Sequence, residues 1–223
     1  VKPPMIPGVT ETIPGKADPN ATLAVILPHF PAAIDSGRMG FNNIDPDKDG
    51  IVREYGLYRN DYGWKIPSLA LSVGHALGYN VPDMPSVLIN WRGKPFTYRY
   101  VTFSEVLLDM TSREKKRPQN EFEGKIVIIG STAPSLFDLK ATPMARIYPG
   151  VEILATAVDN VKHGDYLHVW RGALSYVLFS LLLIWLTAAS FYRQADRDKL
   201  NRIFSSSQIG LIVISYVTIN VTN

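Results

Sequence analysis

Cysteine is absent from the 223 residues. No disulfide can form, no thiolate can act as nucleophile, and no cysteine-ligated zinc site can be built. The compartment stays open, because a domain outside the cell can dispense with disulfides if its core is large enough. A charge excess is also missing from most of the chain. Up to Asp165 there are 18 basic and 18 acidic residues, and 166–223 adds 5 basic and 2 acidic, so the whole +3 sits in that last part. The pI near 9.0 therefore implies no nucleic-acid partner, since the folded part has no basic bias. Catalytic anchors are lacking too. No Gly-x-Ser-x-Gly elbow occurs, and GSTAPS at 130–135 lacks the Gly-Lys-Ser/Thr ending of a phosphate-binding loop. His29, His75, His163 and His168 are scattered without metal-ligand spacing. Glu121 and Glu123 form a carboxylate pair, but in a charged stretch of solvated surface. The chain reads as a non-enzyme that needs no cofactor.

Charge is missing altogether from Ala173 to Phe191, ALSYVLFSLLLIWLTAASF. At about 1.5 Å per residue these 19 residues span roughly 28 Å, close to the hydrocarbon thickness of a bilayer. A buried core helix of this length would ordinarily keep a polar face. His168, Trp170 and Arg171 before the run, and Tyr192 and Arg193 after it, suit interfacial anchors. The expectation is a transmembrane helix over 173–191. Arg193, Arg197, Lys199 and Arg202 follow closely. Basic residues stay inside, so 192–205 is expected to be a cytoplasmic loop and the preceding domain to lie outside the inner (plasma) membrane, on its periplasmic or extracellular side. A second apolar run over 208–223 reads as the start of another transmembrane helix. The chain opens on the Pro-rich VKPPMIPGVTETIPG, not on a signal peptide, and closes inside this apolar run. Both ends read as cuts in a longer protein.

Hydrophobic residues make up 46% of the chain, enough for one sizeable core. Residues 1–22 read as a linker or irregular arm, and 23–167 as the outer domain. Within it, Leu23–Leu27 and Val87–Trp91 suit buried strands, and Ile51–Leu57 a half-buried one. A short helix is expected near Ala32 and a strand through Phe41. A helix should begin with Pro67 in its first turn, put Ile66, Leu69, Ala70, Val73 and Leu77 on one face, and end at Gly78. Thr102 and Glu105 make a capping box for FSEVLLDM. Lys125–Gly130, KIVIIG, is β-branched with no polar alternation, the pattern of a strand covered on both faces. A helix over 151–163 should bury Val151, Leu154, Val158 and Val161, with Gly164 closing it. This alternation implies an α/β domain with a central, mostly parallel sheet flanked by helices and followed by the transmembrane helix.

Two places could hold a ligand. Asp45-x-Asp47-x-Asp49-Gly50 copies the first half of a calcium loop, but its twelfth position is Gly56 in place of a bidentate Glu. An Asp-rich turn that caps its own backbone is the better reading, with calcium the one ion the spacing suits. In an open α/β sheet, ligands bind beyond the carboxyl ends of strands. Ser131 and Thr132 follow KIVIIG, and Asp138, Lys140 and Thr142 could reach the same rim. Trp91, Arg92, Phe96, Tyr98, Arg99 and Tyr100 mix aromatics with arginine, as recognition surfaces do; an ordinary hairpin is the better reading there.

Five motifs stand in order: GFNNIDPDKDGIVRE, IPSLAL, VLINWRG, FEGKIVIIGSTAPSLFDLKATPM and YPGVEILATAVDNV. The series resembles the second CHASE family, sensory extracellular domains associated with cyclases and histidine kinases. The family's marks fall on Asp49, Gly50 and Arg53; on Gly124–Gly130; on Asp138, Thr142 and Pro143; and on Pro149–Glu152. The resemblance covers about 23–167. It implies a domain outside the cell, transmembrane helices, and a cytoplasmic output module that this sequence lacks. The expected partners are the lipid bilayer, a second copy or other membrane-protein subunits, and a small-molecule or protein ligand. A docking subunit of a membrane complex, with no switch, is the alternative.

Overall fold

The computed structural model describes residues 1–6, 9, 11–12, 16–26, 30–132, 138–168, 173–192, 198–199, 201–202 and 205–210. It divides into two compact units, Val1–Leu167 and His168–Asn223. His29, Trp170, Arg171, Arg193, Arg197 and the proposed second apolar helix beyond 210 lie outside the described residues.

In the first unit, β1 (Glu11–Thr12) and α1 (Pro31–Asp35) precede β2 (Glu54–Gly56), β3 (Tyr58–Asp61) and β4 (Trp64–Pro67). The β3–β4 hairpin closes on Tyr62 and Gly63, with φ 53° and 82°. Two successive positive φ values match the twist of a two-residue hairpin turn. Gly63 also lies so close to the Lys16 backbone that a Cβ would overlap it. β1, β4 and β3 form an antiparallel sheet in that order.

Helix α2 (Leu69–Ala76) follows, and its N-cap Ser68 accepts the Leu71 N–H at 3.2 Å. Pro67 ends β4 and stands outside the helix, one residue before the cap. Next come β5 (Ser86–Leu88), antiparallel to β2, and α3 (Phe103–Thr111). Thr102 makes no side-chain cap bond; Glu105 pairs instead with Arg117 at 3.7 Å. The last elements of the unit are β6 (Leu139–Lys140), β7 (Tyr148–Pro149) and α4 (Gly150–His163), which Gly164 closes in the left-handed region.

The core lies where α4 packs on α2 and on the β2–β5 pair. It gathers Val52, Tyr55, Leu57, Ala70, Val87, Ile89, Tyr148, Ile153, Ala157 and Val161. Each large apolar side chain buried there contributes roughly 1.5–3 kcal/mol. The crossing of α2 and α4 is close. A Cβ on Gly74 would stand 2.8 Å from Val161 Cγ1 and from Val81 Cγ2.

The fold is mixed α/β, but the expected mostly parallel central sheet is corrected. Among the described residues the ladders are three small antiparallel sheets, and parallel pairing is confined to the isolated bridges Phe41–Ser68 and Ile51–Ala141. KIVIIG carries no strand: Ile126, Val127 and Ile129 are 40, 53 and 77% exposed. A β-branched run has strand propensity, but a strand exists only where a partner ladder receives it, and no described segment pairs with 125–130. Residues 23–26 likewise carry no strand, and the stretch 91–100 forms no hairpin.

In the second unit, α5 runs over Ala173–Tyr192. Among the described residues no helix is long and apolar enough to cross a membrane. Side-chain surroundings in α5 are described over 177–189, about 20 Å of helical rise, and every residue from Val177 to Trp185 is exposed.

Candidate functional site

Helix α4 buries two rows of side chains. One is the apolar stripe expected from the sequence, with Leu154, Val158 and Val161 buried and Val151 half-buried. The other is polar. Glu152, Thr156 and Asn160, spaced by four and so on one face, are 2, 0 and 0% exposed. Buried polar groups need partners, and here the segment 88–98 supplies them. Glu152 Oε2 accepts the Phe96 N–H at 2.8 Å, and Oε1 accepts the Tyr98 N–H at 3.4 Å. The Tyr98 hydroxyl donates to Thr156 Oγ1 at 3.4 Å, and Thr156 donates back to the Glu152 carbonyl. Asn160 closes an amide pair with the Asn90 backbone, accepting its N–H at 2.9 Å and donating to its carbonyl at 3.1 Å.

Glu152 sits in the first turn of α4, where unpaired N–H groups and the helix dipole favour a carboxylate. Phe96 meets it with φ 68°, an uncommon conformation for a residue with a Cβ. Tyr148 packs edge-on against Trp91 with ring centroids 5.2 Å apart, and its hydroxyl donates to the Gly93 carbonyl at 3.3 Å. Burial, and secondarily the Glu152 charge, pushes the hydroxyls of Tyr100 and Tyr148 up to about 12.

The far end of the same face is ionic. Arg92 donates to Asp159 at 2.6 Å and to Asp165 at 2.8 Å. Desolvation opposes its charge, but the two carboxylates outweigh it and the guanidinium rises above its ordinary value. His163 also reaches Asp159, at 3.2 Å. The Asn90 side chain donates to the Asp165 carbonyl, and the Leu167 N–H to the Leu88 carbonyl, both at 2.9 Å.

The first turn of α4 is crowded from outside as well. A Cβ on Gly150 would overlap the Asp138 carboxylate, and the Gly150 N–H donates to the Asp138 carbonyl at 2.8 Å. A Cβ on Gly130 would likewise overlap the Val151 side chain. The Pro-Gly-Val-Glu start of α4 thus has a physical role at three positions: Gly for Asp138, Val for Gly130, Glu for the 88–98 segment.

The family model of the CHASE2 domain matches residues 8–191, across both the packed first unit and α5. The chain belongs to the CHASE2 domain family. CHASE2 domains are sensory extracellular domains. No curated protein and no solved structure matches the chain.

In this CHASE2 domain the ligand residues selected from the sequence stand in different local settings. Asp138 and Gly130, the neighbour of Ser131, converge on the first turn of α4. Ser131 is exposed and Thr132 half-buried. Lys140 stands opposite Tyr148 in the β6–β7 ladder. Thr142 is buried in its own turn, where its N–H and Oγ1 donate to the Ala145 carbonyl and its Oγ1 accepts the Ala145 N–H.

The Asp-rich turn is an ion pair. Arg53 donates to Asp47 and to Asp49, both at 2.7 Å, and Asp49 Oδ1 accepts the Ile51 N–H. The arginine holds the Asp49 carboxyl down at about 2. Asp45 is exposed. Among the described residues no three acidic or histidine side chains converge as metal ligands would.

The sequence reading missed the polar row of α4. Glu152, Thr156 and Asn160 were legible as a spacing of four, but polar residues on an amphipathic helix ordinarily face solvent. Nothing in the sequence says that another segment covers them.

Proposed function

We propose that this CHASE2 domain is the extracytoplasmic sensory module of a membrane-bound signal-transduction receptor, tethered by the 173–191 helix and passing a stimulus to a cytoplasmic output module. The observation that carries the reading is the extent of the family match, residues 8–191, which takes in the packed domain and α5 up to Phe191. The sequence of α5 is apolar on every side and carries no charge from Ala173 to Phe191. Its described residues from Val177 to Trp185 are exposed, an arrangement that calls for an apolar surrounding. The full uncharged run of the sequence, longer than the 177–189 stretch whose side-chain surroundings are described, would rise roughly 28 Å as a helix, close to the hydrocarbon thickness.

A stimulus shifts such a module only if it binds one conformation better than another. On this reading a small ligand is to be sought beside the first turn of α4, among Ser131, Thr132, Asp138 and Lys140; Thr142 serves its own turn. Asp47 and Asp49 serve Arg53 rather than calcium. The domain itself is read as non-catalytic. The test is a pair of reporter fusions after Asp198 in the full-length receptor. A fluorescent protein that matures only in the cytoplasm should light up there, and an alkaline phosphatase that works only outside should stay silent. The opposite pattern rejects the proposal.

A further inference from the structure

We infer that the 88–98 segment is a strap that couples the first turn of α4 to the chain's exit from the first unit at Asp165–Leu167. The inference rests on the sensory reading only for its biological use; the coupling itself is a property of the packed unit.

The strap is continuous and tied at both ends. Its outer end is Phe96 and Tyr98, whose N–H groups donate to the buried Glu152 carboxylate. Its inner end is Leu88, Asn90 and Arg92. These three tie the exit: Leu167 N–H to the Leu88 carbonyl, the Asn90 amide to the Asp165 carbonyl, and the Arg92 guanidinium to the Asp165 carboxylate. Helix α4 adds two longer ties of its own, Asp165 N–H to the Asn160 carbonyl at 3.3 Å and the Asn160 amide to the Asp165 carboxylate at 3.5 Å. Arg92 and Asn90 also hold α4 itself, at Asp159 and Asn160. The shorter ties on the exit, at 2.8 and 2.9 Å, all come from 88–92, and 88–92 is a few residues of chain from the Glu152 clasp. Two features make the outer end a place where the strap can be sprung. Phe96 has φ 68° and is 66% exposed. A Cβ-bearing residue keeps such a backbone only when its surroundings hold it, and the hold described here is the Glu152 carboxylate. Gly150 and Val151, next to Glu152 in the helix, are pressed by Asp138 and by Gly130. Anything that moves Gly130 or Asp138 against the first turn of α4 bears on the clasp, and through the strap on the residues that lead out of the domain. Arg92 is a positioning residue in this device and Glu152 its clasp.

Energetic coupling of this kind is reciprocal, which fixes the test. Amide hydrogen exchange is read residue by residue on the full chain in lipid nanodiscs, for wild type, Glu152→Gln, Glu152→Ala and Arg92→Gln. The Val52 N–H, which donates to Ala141, reports general loosening of the core. Loss of the clasp should raise exchange at Leu167 about tenfold, and Arg92→Gln should raise it by a similar factor at Phe96 and Tyr98, with Val52 at its wild-type rate in both. The strap is overturned if either end loosens alone: Phe96 and Tyr98 in the Glu152 variants with Leu167 unchanged, or Leu167 in Arg92→Gln with Phe96 and Tyr98 unchanged. Should Glu152→Ala loosen Val52 as well, the isosteric Glu152→Gln and the reciprocal Arg92 arm decide. None of these readouts depends on membrane sidedness, so the strap and the receptor reading fail separately.

Discussion

The Asp138 carboxylate fills the space that a Cβ on Gly150 would need, twelve residues along the chain at the start of α4. Helix propensity alone would favour alanine over glycine there by about 1 kcal/mol. The steric term works against it, since the Asp138 carboxylate must swing aside to admit a Cβ. Gly150→Ala should destabilise the domain by roughly 1–3 kcal/mol, the usual cost of overpacking. Asp138→Ala in the same chain should recover most of that loss. Denaturant unfolding of the two single variants and the double variant measures both; additive losses would contradict the contact.

Asn160 makes a similar claim on the Asn90 backbone, which gives it both an N–H and a carbonyl. Asn160→Ala leaves both half-buried Asn90 groups without this partner, and the loss should be roughly 1–3 kcal/mol in all. A loss below about 1 kcal/mol in denaturant unfolding would mean that water replaces the amide and that the polar row is solvated.

Arg53 and Asp49 give a pH signature. The carboxyl titrates near 2 when folded and near 3.9 in an unfolded chain. A depressed folded value stabilises above the unfolded pKa, and that stabilisation disappears as pH falls from about 4 toward 2. Side-chain NMR should find the Asp49 midpoint near 2, returning to the ordinary carboxylate range in Arg53→Gln. If Arg53 rather than calcium is the partner, millimolar calcium should leave Tm unchanged, and a calcium-dependent rise would restore the metal reading of Asp45, Asp47 and Asp49.

At the alkaline end, Tyr55, Tyr100 and Tyr148 titrate near 12, with burial the first cause in each. A raised folded value stabilises fully below the unfolded pKa near 10, and that contribution fades between about 10 and 12. Phenolate absorbance should show these three titrating late, with Tyr98 also above its ordinary value because of burial. Glu152→Gln should lower Tyr100 and Tyr148, which feel its charge, and leave Tyr55, whose shift comes from burial beside Ser68 and Ala70.

Local chemistry was legible in the sequence, and long-range pairing was not. The apolar spacing of Leu154, Val158 and Val161 and the Gly164 stop gave α4 almost to the residue, because helix bonds and caps are local. The Asp-rich turn was legible because Asp49 bonds its own neighbourhood. KIVIIG failed as a strand because a ladder partner is a tertiary fact that no run of six residues contains. The helix after Thr102 starts where the capping box placed it, but Thr102 makes no side-chain cap bond and Glu105 stands by Arg117, twelve residues on. Of the candidate site, Asp138 and Glu152 stood in motifs, but that they meet the same helical turn from opposite partners is visible only in three dimensions.

The central claim, that the first unit lies outside the membrane and the segment after α5 inside, is open to one direct measurement: these 223 residues contain no cysteine, and any cysteine elsewhere in the receptor is first changed to serine. Asp45→Cys and Asp198→Cys, placed singly in the full-length receptor, are treated on intact cells with a maleimide that cannot cross lipid. The account predicts labelling at 45 in intact cells, and at 198 only after the membrane is opened. Equal labelling of both positions before permeabilisation would contradict it.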